Sequence, residues 1–182
     1  LALWDRHTAT RRVVAIGSVD AHAKIKLGGG RFWVFPSYER TFSLVQNVLL
    51  LRDELSSKTD SAKAQIAHAI RNGNLIFGYS SLGKLEQVQT WCAGNAQLHL
   101  PGDRAGFAPR QVIHVRLPEH FRTETQLFLD GQLLESSREA TIQWPVTRAG
   151  AYRLAIFQRR KQFPYFAETL VPWVFTNPYY LR

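Results

Sequence analysis

The chain has 182 residues, 45% of them hydrophobic, a formal charge of +9 and one cysteine. That length supports one large domain or two small ones, the apolar content is that of a folded globular protein, and a lone cysteine excludes an internal disulfide framework. No apolar stretch reaches the ~18 residues of a membrane span, and the positive charge is spread along the chain, which favours a solvated basic surface or one that attracts small anions over a polynucleotide-binding face.

The chain opens LALWDRHTATRR rather than on Met, so it is expected to be a piece of a longer protein. RRVVAIGS is a continuous apolar run between Arg and Gly-Ser, the pattern of a strand covered on both faces. It leads straight into Asp20, Ala21 and His22. KIKLGGGRFWVFPSYER is expected to loop around residues 28–30. Pro36-Ser37 opens a short helix with Ser37 as N-cap and Arg40 exposed. SLVQNVLLL reads as either more helix or a strand, and a strand is favoured over residues 45–51. SSKTDSAKAQIAHAIRNG predicts a helix capped by Asp60, with Ile66 and Ile70 on one face and Gly73 at its C-terminal end.

Beyond residue 74 the helical period disappears. LIFGY, VQTWCA, AQLHL, QVIHVRL, TQLFL, QLLES, TIQWPV, YRLAIFQ and VPWVF read as short strands with turn residues between them. Asp130-Gly131 between TQLFL and QLLES is a strong hairpin signal. QVIHVRL and YRLAIFQ alternate as half-buried antiparallel strands do. The basic cluster Arg159-Arg160-Lys161 is expected in a strand-end loop. The spacing predicts an immunoglobulin-like antiparallel β-sandwich over residues 75–182, with a small barrel as the alternative, after a mixed α/β segment over residues 1–74.

The end of the first apolar run holds the candidate chemistry. Residues i and i+2 of a strand share a face, so Asp20 and His22 would point together with Ala21 turned into packing. A carboxylate and an imidazole so placed suit a divalent cation such as Zn, Mn or Fe. Gly17 and Ser18 let the backbone bend beside them. The alternative is an exposed strand-end pair, or an Asp that orients a His.

VVAIGSVDAHA resembles the last metal-binding motif of the PHP (polymerase and histidinol phosphatase) family, a strand followed by G-S-D-A-H. FPSYERTF, AIRNGNLIFGYSSLG and PWVFTNPYYLR resemble, in order, later segments of one branch of that family. Val19, inserted between Ser and Asp, departs from its pattern. The resemblance spans nearly the whole chain. It implies that residues 1–74 are the C-terminal part of a distorted (β/α) barrel bearing a cluster of two or three metals, with Asp20 and His22 the last two ligands. It implies a metal-dependent phosphoesterase in which the metals polarise a phosphate oxygen and activate water. The remaining ligands would come from an upstream part of the same protein, the natural partner of this piece, and the piece alone would be inactive. Lys24 and Lys26 follow the motif and would face the phosphate ester if they are not solvated loop lysines.

His7 reads as a surface residue and His68 as surface or packing, while His99, His114 and His120 match no ligand pattern. Trp91, Trp144 and Trp173 read as core of the β region. Exposure of two neighbours would instead suggest a carbohydrate- or protein-binding module, and the basic and aromatic content leaves a nucleic-acid-binding domain as a further alternative. A cytoplasmic setting is expected, with the periplasm as the alternative.

Overall fold

The computed structural model describes residues 2–19, 24–26, 29, 32–34, 37–162 and 167–182. In chain order the elements are α1 (Ala2–Thr8), β1 (Lys24–Lys26), β2 (Phe32–Val34), α2 (Tyr38–Phe42), β3 (Val45–Leu49), α3 (Thr59–Asn72), β4 (Leu75–Tyr79), β5 (Gln89–Gly94), β6 (Gln97–His99) and β7 (Arg104–Ala105). They continue as β8 (Val112–Arg116), β9 (Thr123–Leu129), β10 (Gln132–Ser137), β11 (Thr141–Pro145), β12 (Gly150–Gln162), β13 (Ala167–Thr176) and β14 (Tyr179–Leu181).

The strands form two main sheets and a separate β1–β2 pair. One sheet runs β10-β9-β12-β13-β4-β3, with β14 against the start of β12 and β7 parallel to β14. The other runs β11-β8-β5-β6. Their facing side chains make one hydrophobic core. Leu127, Leu129, Tyr152, Leu154, Ile156 and Trp173 come from the first sheet, and Cys92, Ile113, Val115, Ile142 and Trp144 from the second. Period-two patterning produces this arrangement: in β9 every other residue from Thr123 to Leu129 is buried, and in β11 Ile142 and Trp144 point inward between exposed neighbours.

Several expected elements are present. Ser37 caps α2, its hydroxyl accepting from the Arg40 amide. Gly73 ends α3 in the left-handed region at φ 66°. β3 occupies the stretch where a strand was favoured. Asp130 and Gly131, at φ 50° and 85°, form the two-residue turn between β9 and β10. The large sheet continues through residue 74, because β3 pairs with β4 from Val45↔Tyr79 to Leu49↔Leu75.

Three expectations need correction. The cap position of α3 is Lys58, without a side-chain bond, and Asp60 lies in the first turn, where its charge still favours the helix dipole. Arg159, Arg160 and Lys161 belong to β12, paired with Leu170, Thr169 and Glu168, so they lie on a strand and not in a loop. YRLAIFQ is not half-buried, since Ala151 to Ile156 are buried on both faces.

The second cover over β12 comes from the N-terminus. Arg153 points away from the two-sheet core and is 2% exposed. Its Nε and Nη2 donate to the Asp5 carboxylate of α1 at 2.6 and 2.8 Å. Its guanidinium lies 3.9 Å above the Phe128 ring and 5.4 Å from that of Trp4. Helix α1 is thus clamped to the outer face of the large sheet. No helix among the described residues is long and apolar enough to cross a membrane.

Candidate functional site

The segment leading to Asp20 is extended without being a strand of either sheet. Residues 12–19 have no regular secondary structure and are at most half-buried, with Ile16 53% exposed. The apolar run therefore does not form the doubly covered strand expected of it.

Side chains from the large sheet and its β13–β14 connection hold it instead. The Tyr180 hydroxyl accepts from the Val13 amide at 3.0 Å and donates to the Val13 carbonyl at 3.2 Å. Asn177 accepts from the Ala15 amide through Oδ1 at 2.7 Å and donates to the Ala15 carbonyl through Nδ2 at 3.0 Å. Asn47 repeats the pattern on Gly17 at 2.8 and 2.9 Å. Three alternate residues, all facing one way in an extended chain, are each bound at both backbone groups by one side chain.

The amide of Asn or the hydroxyl of Tyr can offer a donor and an acceptor together, which is what the edge of an extended backbone requires. Gly17 makes the close approach possible: a Cβ there would lie 2.8 Å from Val45 Cγ1 and 3.0 Å from Phe77 Cβ. Gly73 contributes similarly, its missing Cβ leaving 3.2 Å to Val14 Cγ2 and to the Asn177 amide.

The backbone groups of Val14, Ile16 and Ser18 face the other side and have no hydrogen-bond partner among the described residues. Among the described residues, no strand pairs with this outer edge.

Asp20 and His22 lie outside the described residues. Lys24 and Lys26 lie on β1, paired with Val34 and Phe32, and their side chains lie outside the described residues too. Among the described residues no group of three or more His, Cys, Asp or Glu side chains is placed to hold a metal ion. His7 is half-buried, and His68 and His120 are exposed. His68 Nε2 is 2.6 Å from the Asn72 amide nitrogen. His120 packs on Phe121, and His114 stacks on Trp91 at 5.0 Å between centroids.

Trp144 and Trp173 are core residues, 6% and 0% exposed. Trp91 is half-buried, stacked on His114 and with the Arg116 guanidinium 5.2 Å from its ring. No two of these three tryptophans form an exposed platform. Cys92 is fully buried, and that burial pushes its thiol up to about 11, so it is not a nucleophile at neutral pH. On the basic strand end, Glu168 accepts from Arg159 at 2.7 Å and lies 3.4 Å from Arg122. The Arg159 bond, with the charges of Arg159 and Arg122, holds its carboxyl below the usual range.

No protein-family model, curated protein or solved structure matches the chain.

The clip formed by Asn47, Asn177 and Tyr180 was not expected from sequence. The only signal was indirect: polar Asn177 and Tyr180 sit in TNPYY, directly after an apolar strand.

Proposed function

We propose that the chain is the C-terminal part of a metal-dependent phosphoesterase of PHP type, a fragment of its distorted barrel joined to an immunoglobulin-like β-sandwich. The observation that carries this reading is the clip. The segments that resemble the family lie far apart in sequence, yet they meet in space. VVAIGSVDAHA is bound through Val13 and Ala15 to Tyr180 and Asn177 of PWVFTNPYYLR, 167 and 162 residues away. Its Gly17 packs on Phe77 of AIRNGNLIFGYSSLG. Contact between these segments supports their being parts of one functional unit, and a fixed lead-in is what a short ligand pair needs in order to be aimed.

In this reading Asp20 and His22 hold a divalent cation, Zn, Mn or Fe, through a carboxylate oxygen and a neutral imidazole nitrogen. Their donor chemistry suits such an ion. The metal, when bound, supplies Lewis acidity toward a phosphate ester. Lys24 and Lys26 contribute positive charge toward the phosphate. Two ligands do not complete a hydrolytic centre, so the others come from upstream polypeptide. The backbone edge at Val14, Ile16 and Ser18, without a partner among the described residues, supports that partnership, because a neighbouring strand would satisfy it.

The test is phosphatase assay with Mn or Zn. The chain alone is expected to give no turnover, whereas the protein with its upstream part hydrolyses p-nitrophenyl phosphate. Asp20→Asn in that longer protein should lower the rate about 100-fold or more, as removal of a directly bound ligand should exceed the loss of a supporting one. Turnover that survives loss of Asp20 would overturn the assignment.

A further inference from the structure

A cavity of about 500 Å³ lies at the other end of the clipped segment, lined by residues 10–12, 104–106, Tyr180 and Arg182. Four of its lining residues are arginines: Arg11, Arg12, Arg104 and Arg182. None is a carboxylate. The fold gathers them from three stretches of chain. Arg104 is brought in by the parallel pairing of β7 with β14, where it stands opposite Tyr180. Arg182 follows β14 directly, its amide donating to Ala105 O. Arg12 precedes Val13, which the Tyr180 hydroxyl grips.

The arginines are of two kinds. Arg12 and Arg182 are fixed: Arg12 Nη2 donates to Asn72 Oδ1 at 2.9 Å, and Arg182 Nη2 donates to the carbonyls of Thr8 and Ala9 at 2.9 and 2.6 Å. Arg12 Nε is nevertheless buried without a partner. Arg11 and Arg104 are exposed and have no side-chain hydrogen bond or ion pair among the described residues. Among the described residues the one ion pair made by these arginines is Arg182 with Asp130, at 3.7 Å. Guanidinium groups crowded round one cavity repel one another, and a buried donor left unpaired is costly. An anion in the cavity relieves the repulsion.

We infer that this cavity is a binding site for a phosphate-bearing small molecule. The planar donor fork of arginine matches phosphate oxygens two at a time, and the volume falls within the usual range of small-ligand pockets. Fixed Arg12 and Arg182 would form the floor, and Arg11 and Arg104 would close over the ligand. Backbone without a side chain at Gly106 lets a ligand approach closely. The site does not depend on Asp20 and His22 and stands whether or not the phosphoesterase reading does.

Calorimetric titration of the chain with inorganic pyrophosphate tests this. The expected result is saturable binding of one equivalent, weakened about tenfold or more by the double variant R11Q/R104Q, each substitution removing a charge-assisted contact. Both residues are exposed, so the variant should melt as the parent does, and Arg104→Lys should give intermediate affinity by keeping charge without the fork. Lys63→Gln, on α3 away from the cavity, should bind as the parent does. Absence of saturable binding at concentrations on the order of 10 mM, or unchanged affinity in the double variant, would overturn the inference. So would a single-stranded oligonucleotide that binds about 100-fold tighter than pyrophosphate and loses that affinity in the same variant, since the cavity would then be part of a nucleic-acid surface.

Discussion

Asn177 is buried, and both ends of its amide are spent on the backbone of Ala15. Asn177→Ala removes both bonds and should cost about 1–3 kcal/mol in denaturant unfolding, at the usual net worth of such bonds. Hydrogen exchange at the Ala15 amide should accelerate with it. The Asp5–Arg153 pair carries a larger penalty. Asp5→Ala leaves a buried guanidinium without its carboxylate and is expected to cost about 3–5 kcal/mol by urea titration, whereas replacing both partners with apolar residues should cost far less. Cys92 links the core to pH. Burial raises its pKa from the ordinary 9.0 to about 11, so on alkalinisation the unfolded chain loses this proton first. The contribution to stability is complete below pH 9 and is lost as pH rises through the folded value. Native protein should therefore be silent to a thiol reagent at pH 8 and react once unfolded, and Cys92→Ala should flatten the alkaline fall in stability.

The elements differ in how far they could be read from sequence, and the reason is locality. The β9–β10 turn was legible because Asp130 and Gly131 specify it by themselves. Gly131→Ala should destabilise the hairpin by about 1–2 kcal/mol through its positive φ alone. The added Cβ would also lie 2.6 Å from Asp5 Cβ, so the clamp on α1 should loosen, visible as faster exchange in α1. Ser37 and Gly73 were legible for the same reason. The course of RRVVAIGS was not legible because its partners are remote side chains, and apolar patterning carries no information about an asparagine 162 residues away. The full burial of β12 was not legible because Arg153, polar in the sequence, is covered on the outer face of the sheet by an acid 148 residues earlier. The arginine cavity was equally invisible, since only folding joins residues 10–12 to Arg104 and Arg182.

For the whole molecule, the consequence is that the two textures of the sequence are joined by hydrogen bonds. β3 completes the large sheet beyond β4, and α1 with the clipped segment covers its outer face. Residues 75–182 expressed alone would expose β4 as a new edge and leave Arg153 without its acid. That piece is expected to be poorly soluble or to melt well below the full chain, by about 10 °C or more if several kcal/mol are lost. Co-expression with residues 1–74 should restore part of the difference. A melt of the full chain should be a single transition, with the same midpoint by far-ultraviolet circular dichroism and by tryptophan fluorescence.

Where three side chains grip only main-chain atoms, the letters of the gripped peptide are released from duty. Val13 and Ala15 can drift to other small or β-branched residues while the fastening holds, whereas Asn47, Asn177 and Tyr180 have few substitutes that present a donor and an acceptor at one point. Random mutagenesis should reveal this asymmetry as tolerance in the ribbon and intolerance in its three clasps.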